Sequence, residues 1–126
     1  MYQENILEHY KSPKNFGTLK NASVEHHEKN PLCGDELGMF LIIKGGKIAH
    51  VKFNGHGCAI SQASASMLTE KIKGKTVKEA EKITKEDVLE MLGIELSAVR
   101  LKCALLSLDT LKNSILIHEK YVVGKK

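Results

Sequence analysis

A chain of 126 residues, 42% apolar and 27% charged, is long enough for one compact core and too short for two. Its net charge of +4 comes almost wholly from lysines, with Arg100 the single arginine, interspersed with Glu and Asp and without interleaved aromatics, so a nucleic-acid footprint is excluded. The longest uninterrupted apolar run is Met39 to Ile43, which excludes a membrane-spanning helix, and the opening Met-Tyr-Gln-Glu-Asn-Ile has no secretory pattern, so a cytoplasmic location is expected.

Residues 2–11 place Ile6, Leu7 and Tyr10 on one helical face, and Pro13 with Gly17 ends that segment. A polar, histidine-containing stretch from Ala22 to Lys29 reads as an edge strand. Leu37–Lys44 and Lys47–Phe53 are the clearest strands, joined by Gly45-Gly46, a two-residue signal for a tight hairpin. In the second of them Ala49, Val51 and Phe53 alternate with Ile48, His50 and Lys52, which predicts one buried face.

After Gly57 the period becomes helical. Ile60, Ala63, Ser64, Met67, Leu68 and Ile72 share a face, and Gly74 marks the stop. The small residues from Ser61 to Ser66 would let another backbone pack closely, and packing is the role expected of Ser61, Ser64 and Ser66, since none has a convincing base partner. Two short helices are signalled by Thr76 with Glu79 and by Thr84 with Asp87, the second ending at Gly93. A long last helix carries Leu101, Ala104, Leu105, Leu108, Leu111, Ile115 and His118, and Gly124-Lys125-Lys126 reads as a loose tail. This order lacks regular β–α alternation. It predicts a single α+β domain over residues 1–126, a small antiparallel three-stranded sheet with about five helices packed on one face.

Three cysteines stand in Asn-Pro-Leu-Cys-Gly-Asp (Cys33, with Asp35), Gly-His-Gly-Cys-Ala-Ile-Ser (Cys58) and Arg-Leu-Lys-Cys-Ala (Cys103). An odd number of cysteines in a cytosolic setting argues against a disulfide framework, and the bland alternative is three unrelated buried thiols. Their neighbours point elsewhere. Each falls at an expected element junction: Cys33 in a loop before a strand, Cys58 between strand and helix, Cys103 at or near the first turn of the last helix. A helix N-terminus favours thiolate over thiol, and Arg100 and Lys102 would act in the same direction on Cys103. Asp35 is the natural fourth ligand, with Gly34 supplying the bend; zinc accepts such a mixed set, and so does iron in a cluster. His9, His26, His27, His50 and His118 read as surface or packing residues, whereas His56 is a candidate supporting or alternative ligand. Gly55-His56-Gly57 lacks the rest of a nucleotide fingerprint, so a phosphate cradle is rejected.

Nearly the whole chain resembles the U-type iron–sulfur assembly family, which comprises IscU, SufU and the N-terminal domain of NifU. The likeness runs from Ile6-Leu7-Glu8-His9-Tyr10-Lys11-Ser12-Pro13-Lys14-Asn15-Phe16-Gly17, through Asn30-Pro31-Leu32-Cys33-Gly34-Asp35 and Gly57-Cys58-Ala59-Ile60-Ser61, to Lys102-Cys103-Ala104. It implies a protein that accepts sulfur from a cysteine desulfurase. As a scaffold, the chain would hold a nascent cluster, of the [2Fe-2S] type, on Cys33, Asp35, Cys58 and Cys103 and pass it to recipient apoproteins. As a zinc-dependent sulfur shuttle, it would hold zinc on the same four residues until one thiolate is released to take the sulfur. Cys33 and Cys103 are the candidate persulfide acceptors, with Lys102 and Arg100 as electrostatic support.

Two features depart from the family's subtypes. The residue before the third cysteine is Lys102, as in SufU, where IscU-like members carry histidine; yet the insertion usual in SufU between the second and third cysteines is absent. Ile94-Glu95-Leu96-Ser97-Ala98-Val99 occupies the place of the chaperone-docking Leu-Pro-Pro-Val-Lys of IscU.

Overall fold

Gly45 and Gly46 adopt φ of 58° and 76°, the left-handed conformation that a two-residue turn needs, and they fold strand β2 (Asp35–Lys44) back onto β3 (Lys47–His56). The computed structural model describes residues 4–31 and 34–124. Strand β1 (Val24–Asn30) pairs antiparallel with the other side of β2, giving the order β1-β2-β3 and leaving β1 on the edge. Among the described residues there are five helices, α1 (Glu4–Lys11), α2 (Ala59–Ile72), α3 (Val77–Glu81), α4 (Lys85–Leu92) and α5 (Ala98–Gly124), of which α2 and α5 make the main contacts with the sheet. The expected α+β architecture is the one observed.

Alternation along β3 fails at one point. Register shifts between Ile42 and Ile43, which pair with His50 and Ile48 and leave Ala49 as an extra residue. This bulge turns Ile48 onto the face of Val51 and Phe53, so Ile48 is fully buried and Ala49 only partly so. The expected partition, with Ala49 inside and Ile48 outside, is therefore reversed at that end of the strand.

Helix α2 is buried on nearly every side, from Ile60 and Ser61 through Ser66 to Thr69 and Ile72, rather than on one stripe. It packs against α1, α5 and β3 together, which explains its run of alanines and serines: small side chains let all three neighbours approach. Ser64 Oγ donates to Ala104 O at 2.7 Å and lies 2.9 Å from Ser107 Oγ, fixing the crossing of α2 with α5. On the other flank, Ser66 Oγ accepts from Lys14 N at 2.8 Å and lies 2.7 Å from His9 Nδ1, tying α1 and its following loop to α2. That loop continues onto the free edge of β3, where Phe53 N donates to Asn15 O and Gly17 N to Phe53 O. Helix α5 includes Gly124, expected as part of a loose tail, while Lys125 and Lys126 lie outside the described residues.

Both expected N-caps are complete capping boxes. Thr76 and Thr84 accept from the N–H groups of Glu79 and Asp87, whose carboxylates accept in return from the threonine N–H groups. The Thr84 N–H first, and then its hydroxyl, hold the Asp87 carboxyl below its usual range. A carboxyl depressed in the folded state stabilises above its unfolded pKa, and that contribution fades as pH falls through the folded value. Loss of the N-cap hydroxyl in Thr84→Ala should cost about 1 kcal/mol at neutral pH. Urea unfolding should show a lower midpoint at unchanged slope, with the Asp87-dependent part of the difference gone in acid.

Candidate metal centre

The last paired residues of β2 and β3 are Glu36 and His56. One step further along the same antiparallel register, Asp35 faces Gly57, and the chain then enters α2 through Cys58. A side chain at position 57 would displace its neighbours: a Cβ there would sit 2.7 Å from Asp35 Oδ1 and 2.5 Å from Ser61 Oγ, so one or both side chains would have to move. Glycine leaves the space that the Asp35 carboxylate fills.

Asp35 is 2% exposed, yet it is well placed for a buried carboxylate. Cys58 N donates to its Oδ1 at 3.1 Å, and the Cys58 thiol donates to its Oδ2 at 3.6 Å. Cys58 is the N-cap of α2, with φ −73° and ψ 168°, and the first turn of that helix contains no acidic residue. Asp35 brings negative charge there from a neighbouring strand, where the helix dipole favours it.

Cys103 comes from the opposite side. It is fully buried and lies in the second turn of α5, beyond the four N–H groups that lack an intrahelical partner. The helix N-terminal position expected of Cys103 is occupied by Cys58 instead. One donor atom each from Asp35, Cys58 and Cys103 lies within 4.8 Å of the other two. A tetrahedral zinc site with ordinary bond lengths sets its sulfur donors about 3.8 Å apart, so these three groups need only a small contraction to share one ion. Two soft thiols with one hard carboxylate suit zinc or cluster iron. Cys33, the fourth residue of the expected set, lies outside the described residues.

Arg100 and Lys102 are exposed, and Lys102 lines an open groove of about 290 Å³ with Glu28, Lys29, Asn30, Pro31, Leu105, Leu106 and Asp109. His56 has a 74% exposed side chain and meets Glu36 at 3.4 Å, outside the cluster of donors. Sequence reasoning missed the groove carboxylates, which lie on different elements. It also gave Ser61 no role beyond packing, although its position three residues after Cys58 was a visible signal.

Two thiols and a carboxylate gathered at the junction of a sheet and two helices make this an α+β domain with a candidate metal or cluster site. Comparison with known proteins specifies which one. The NifU-like N terminal domain model matches residues 1–123, and the chain belongs to that family. It is 37% identical over 115 residues to iron-sulfur cluster assembly scaffold protein IscU 1 of Archaeoglobus fulgidus, covering 91% of this chain and 74% of that one. It is 34% identical to the zinc-dependent sulfurtransferase SufU of Bacillus subtilis, over 94% of this chain and 92% of that one. The crystal structure of FiSufU from Fervidobacterium islandicum AW-1 superposes with a TM-score of 0.76 at 35% identity, covering 90% and 96% of the two chains.

Two outcomes check this geometry. Gly57→Ala should weaken zinc binding by about tenfold or more, equivalent to some 1.4 kcal/mol, in competition with a chromogenic chelator, while the far-UV spectrum is unchanged. In the groove, burial first and Glu28 second hold the Asp109 carboxyl above its usual range. A raised carboxyl loses stability as pH climbs from its unfolded through its folded pKa. Asp109→Asn should therefore be more stable than the parent at pH 7, an advantage that vanishes in acid, as read from urea midpoints at the two pH values.

Proposed function

We propose that this chain is an iron–sulfur cluster assembly scaffold. It accepts sulfur from a cysteine desulfurase, holds a nascent [2Fe-2S] cluster on Cys33, Asp35, Cys58 and Cys103, and passes it to recipient apoproteins. The observation that carries this reading is the meeting of the Asp35, Cys58 and Cys103 donor atoms within 4.8 Å, drawn from a strand start, a helix cap and a second helix. Scaffold names among the relatives, such as that of the Archaeoglobus protein, support it.

The chemistry follows from the donor types. A thiolate of this chain attacks the outer sulfur of the desulfurase persulfide; the new S–S bond forms as the old one breaks, and the desulfurase thiolate leaves with the electron pair. Reducing that transferred sulfur to bridging sulfide takes two electrons from a separate donor protein. Cys103 has no exposed surface, so we assign first acceptance to Cys33. Asp35 is the exchangeable ligand: a hard oxygen binds iron less tenaciously than thiolate does, and the Cys58 N–H holds the carboxylate in place while its bond to iron opens. Lys102, a cation at neutral pH, offers no lone pair to the metal, and with Arg100 it serves electrostatically, toward an incoming anionic persulfide.

Lys102 is also what favours a second reading, a zinc-dependent sulfurtransferase of the SufU type, in which the same four residues hold zinc and release one thiolate to the desulfurase. One experiment separates the two. The anaerobic protein is incubated with ferrous iron, cysteine and a cysteine desulfurase, and its visible spectrum is followed. A scaffold develops sulfur-to-iron charge-transfer bands that are lost in Cys58→Ser and Cys103→Ser and persist longer in Asp35→Ala when an apoprotein is added. A colourless protein that keeps one zinc per chain and accelerates cysteine turnover is the shuttle instead.

A further inference from the structure

Ser64 and Ser66 join α2 to other elements, but among the described residues both hydrogen-bond partners of the Ser61 hydroxyl belong to Cys58. Ser61 is fully buried one turn along α2 from Cys58. Its hydroxyl donates to Cys58 O at 3.1 Å, and its Oγ lies 3.9 Å from Cys58 Sγ, within reach for sulfur. The Cys58 carbonyl does not depend on that hydroxyl, because it also accepts from Gln62 N at 3.1 Å. The space around Ser61 Oγ is kept open by Gly57, whose absent Cβ would lie 2.5 Å away.

We propose that Ser61 is a positioning residue of the metal centre, donating its hydroxyl proton to the Cys58 sulfur when that sulfur is a metal-bound thiolate. This rests on the reading of Cys58 as a ligand. In the thiol form the S–H has Asp35 Oδ2 as its nearer acceptor, and the serine proton turns to the carbonyl. Metal binding takes the thiol proton away and leaves an anionic sulfur that can only accept. Asp35, as a carboxylate, has no proton to offer. Rotation about the Ser61 Cβ–Oγ bond then turns its proton from the carbonyl toward the sulfur, exchanging a neutral hydrogen bond for a charge-assisted one. Such a bond draws electron density from the sulfur, weakens its donation to the metal and tunes the centre from one shell out.

The test uses cobalt(II) alone, added anaerobically to the full chain, with sulfur-to-cobalt charge-transfer bands as the readout. Losing an O–H donor raises the energy of the sulfur lone pair, so Ser61→Ala should move these bands to lower energy. Ser61→Thr and Ser61→Val are nearly equal in volume and isolate the hydroxyl: the threonine variant should keep the wild-type band position and the valine variant should shift with alanine. Packing alone would change melting temperature in all three without sorting the bands by hydroxyl. Bands at the same energy in threonine and valine variants would overturn the role of Ser61 while leaving Cys58 a ligand. Absence of any thiolate–cobalt band in the wild-type chain would overturn both.

Discussion

The crossing of α2 and α5 is the contact on which the candidate metal centre depends. Ser64 donates to the backbone of α5 at Ala104, at 2.7 Å, which is possible because Ser64, Ala104 and Ser107 have almost no side chain to hold the helices apart. Cys103 immediately precedes Ala104, and Cys58 lies within two turns of Ser64. Bringing the helices this close therefore also brings a fully buried thiol beside the cap of α2. Larger residues at the crossing would separate the two sulfurs before they altered the core of the sheet.

The third donor reaches the same point by a different constraint. Sheet register puts Asp35 opposite Gly57, and the missing Cβ admits a carboxylate that is 2% exposed. Burying a carboxylate is expensive unless its oxygens are hydrogen-bonded, and here the N-cap N–H and thiol of Cys58 meet both of them. The same contacts fix the carboxylate in place beside the two thiols. Burial is graded across the centre, with Cys103 enclosed, Asp35 nearly so and Cys58 half-buried. Among the three described donors, Cys58 is thus the one nearest to solvent.

Much of this was legible in the chain. The Gly45-Gly46 hairpin, the capping boxes at Thr76 and Thr84 and the small-residue run of α2 are local chemistry, decided by φ/ψ preference, by side chain–backbone hydrogen bonds a few residues apart and by side-chain volume. The β-bulge at Ala49 was not, because periodicity assumes uninterrupted pairing and an extra residue reveals itself only against the partner strand.

The sequence by itself determined the donor chemistry: which residues carry sulfur or carboxylate, and that glycine and an element boundary adjoin two of the three cysteines. Only the tertiary structure decided that Asp35, Cys58 and Cys103, separated by up to 68 positions, share one small volume. It also assigned the helix N-terminal position to Cys58 rather than Cys103 and gave Gly57 a steric reason. The physical cause is common to all three: donor type is a property of a side chain, whereas distance, burial and helix position arise from packing between segments remote in the chain.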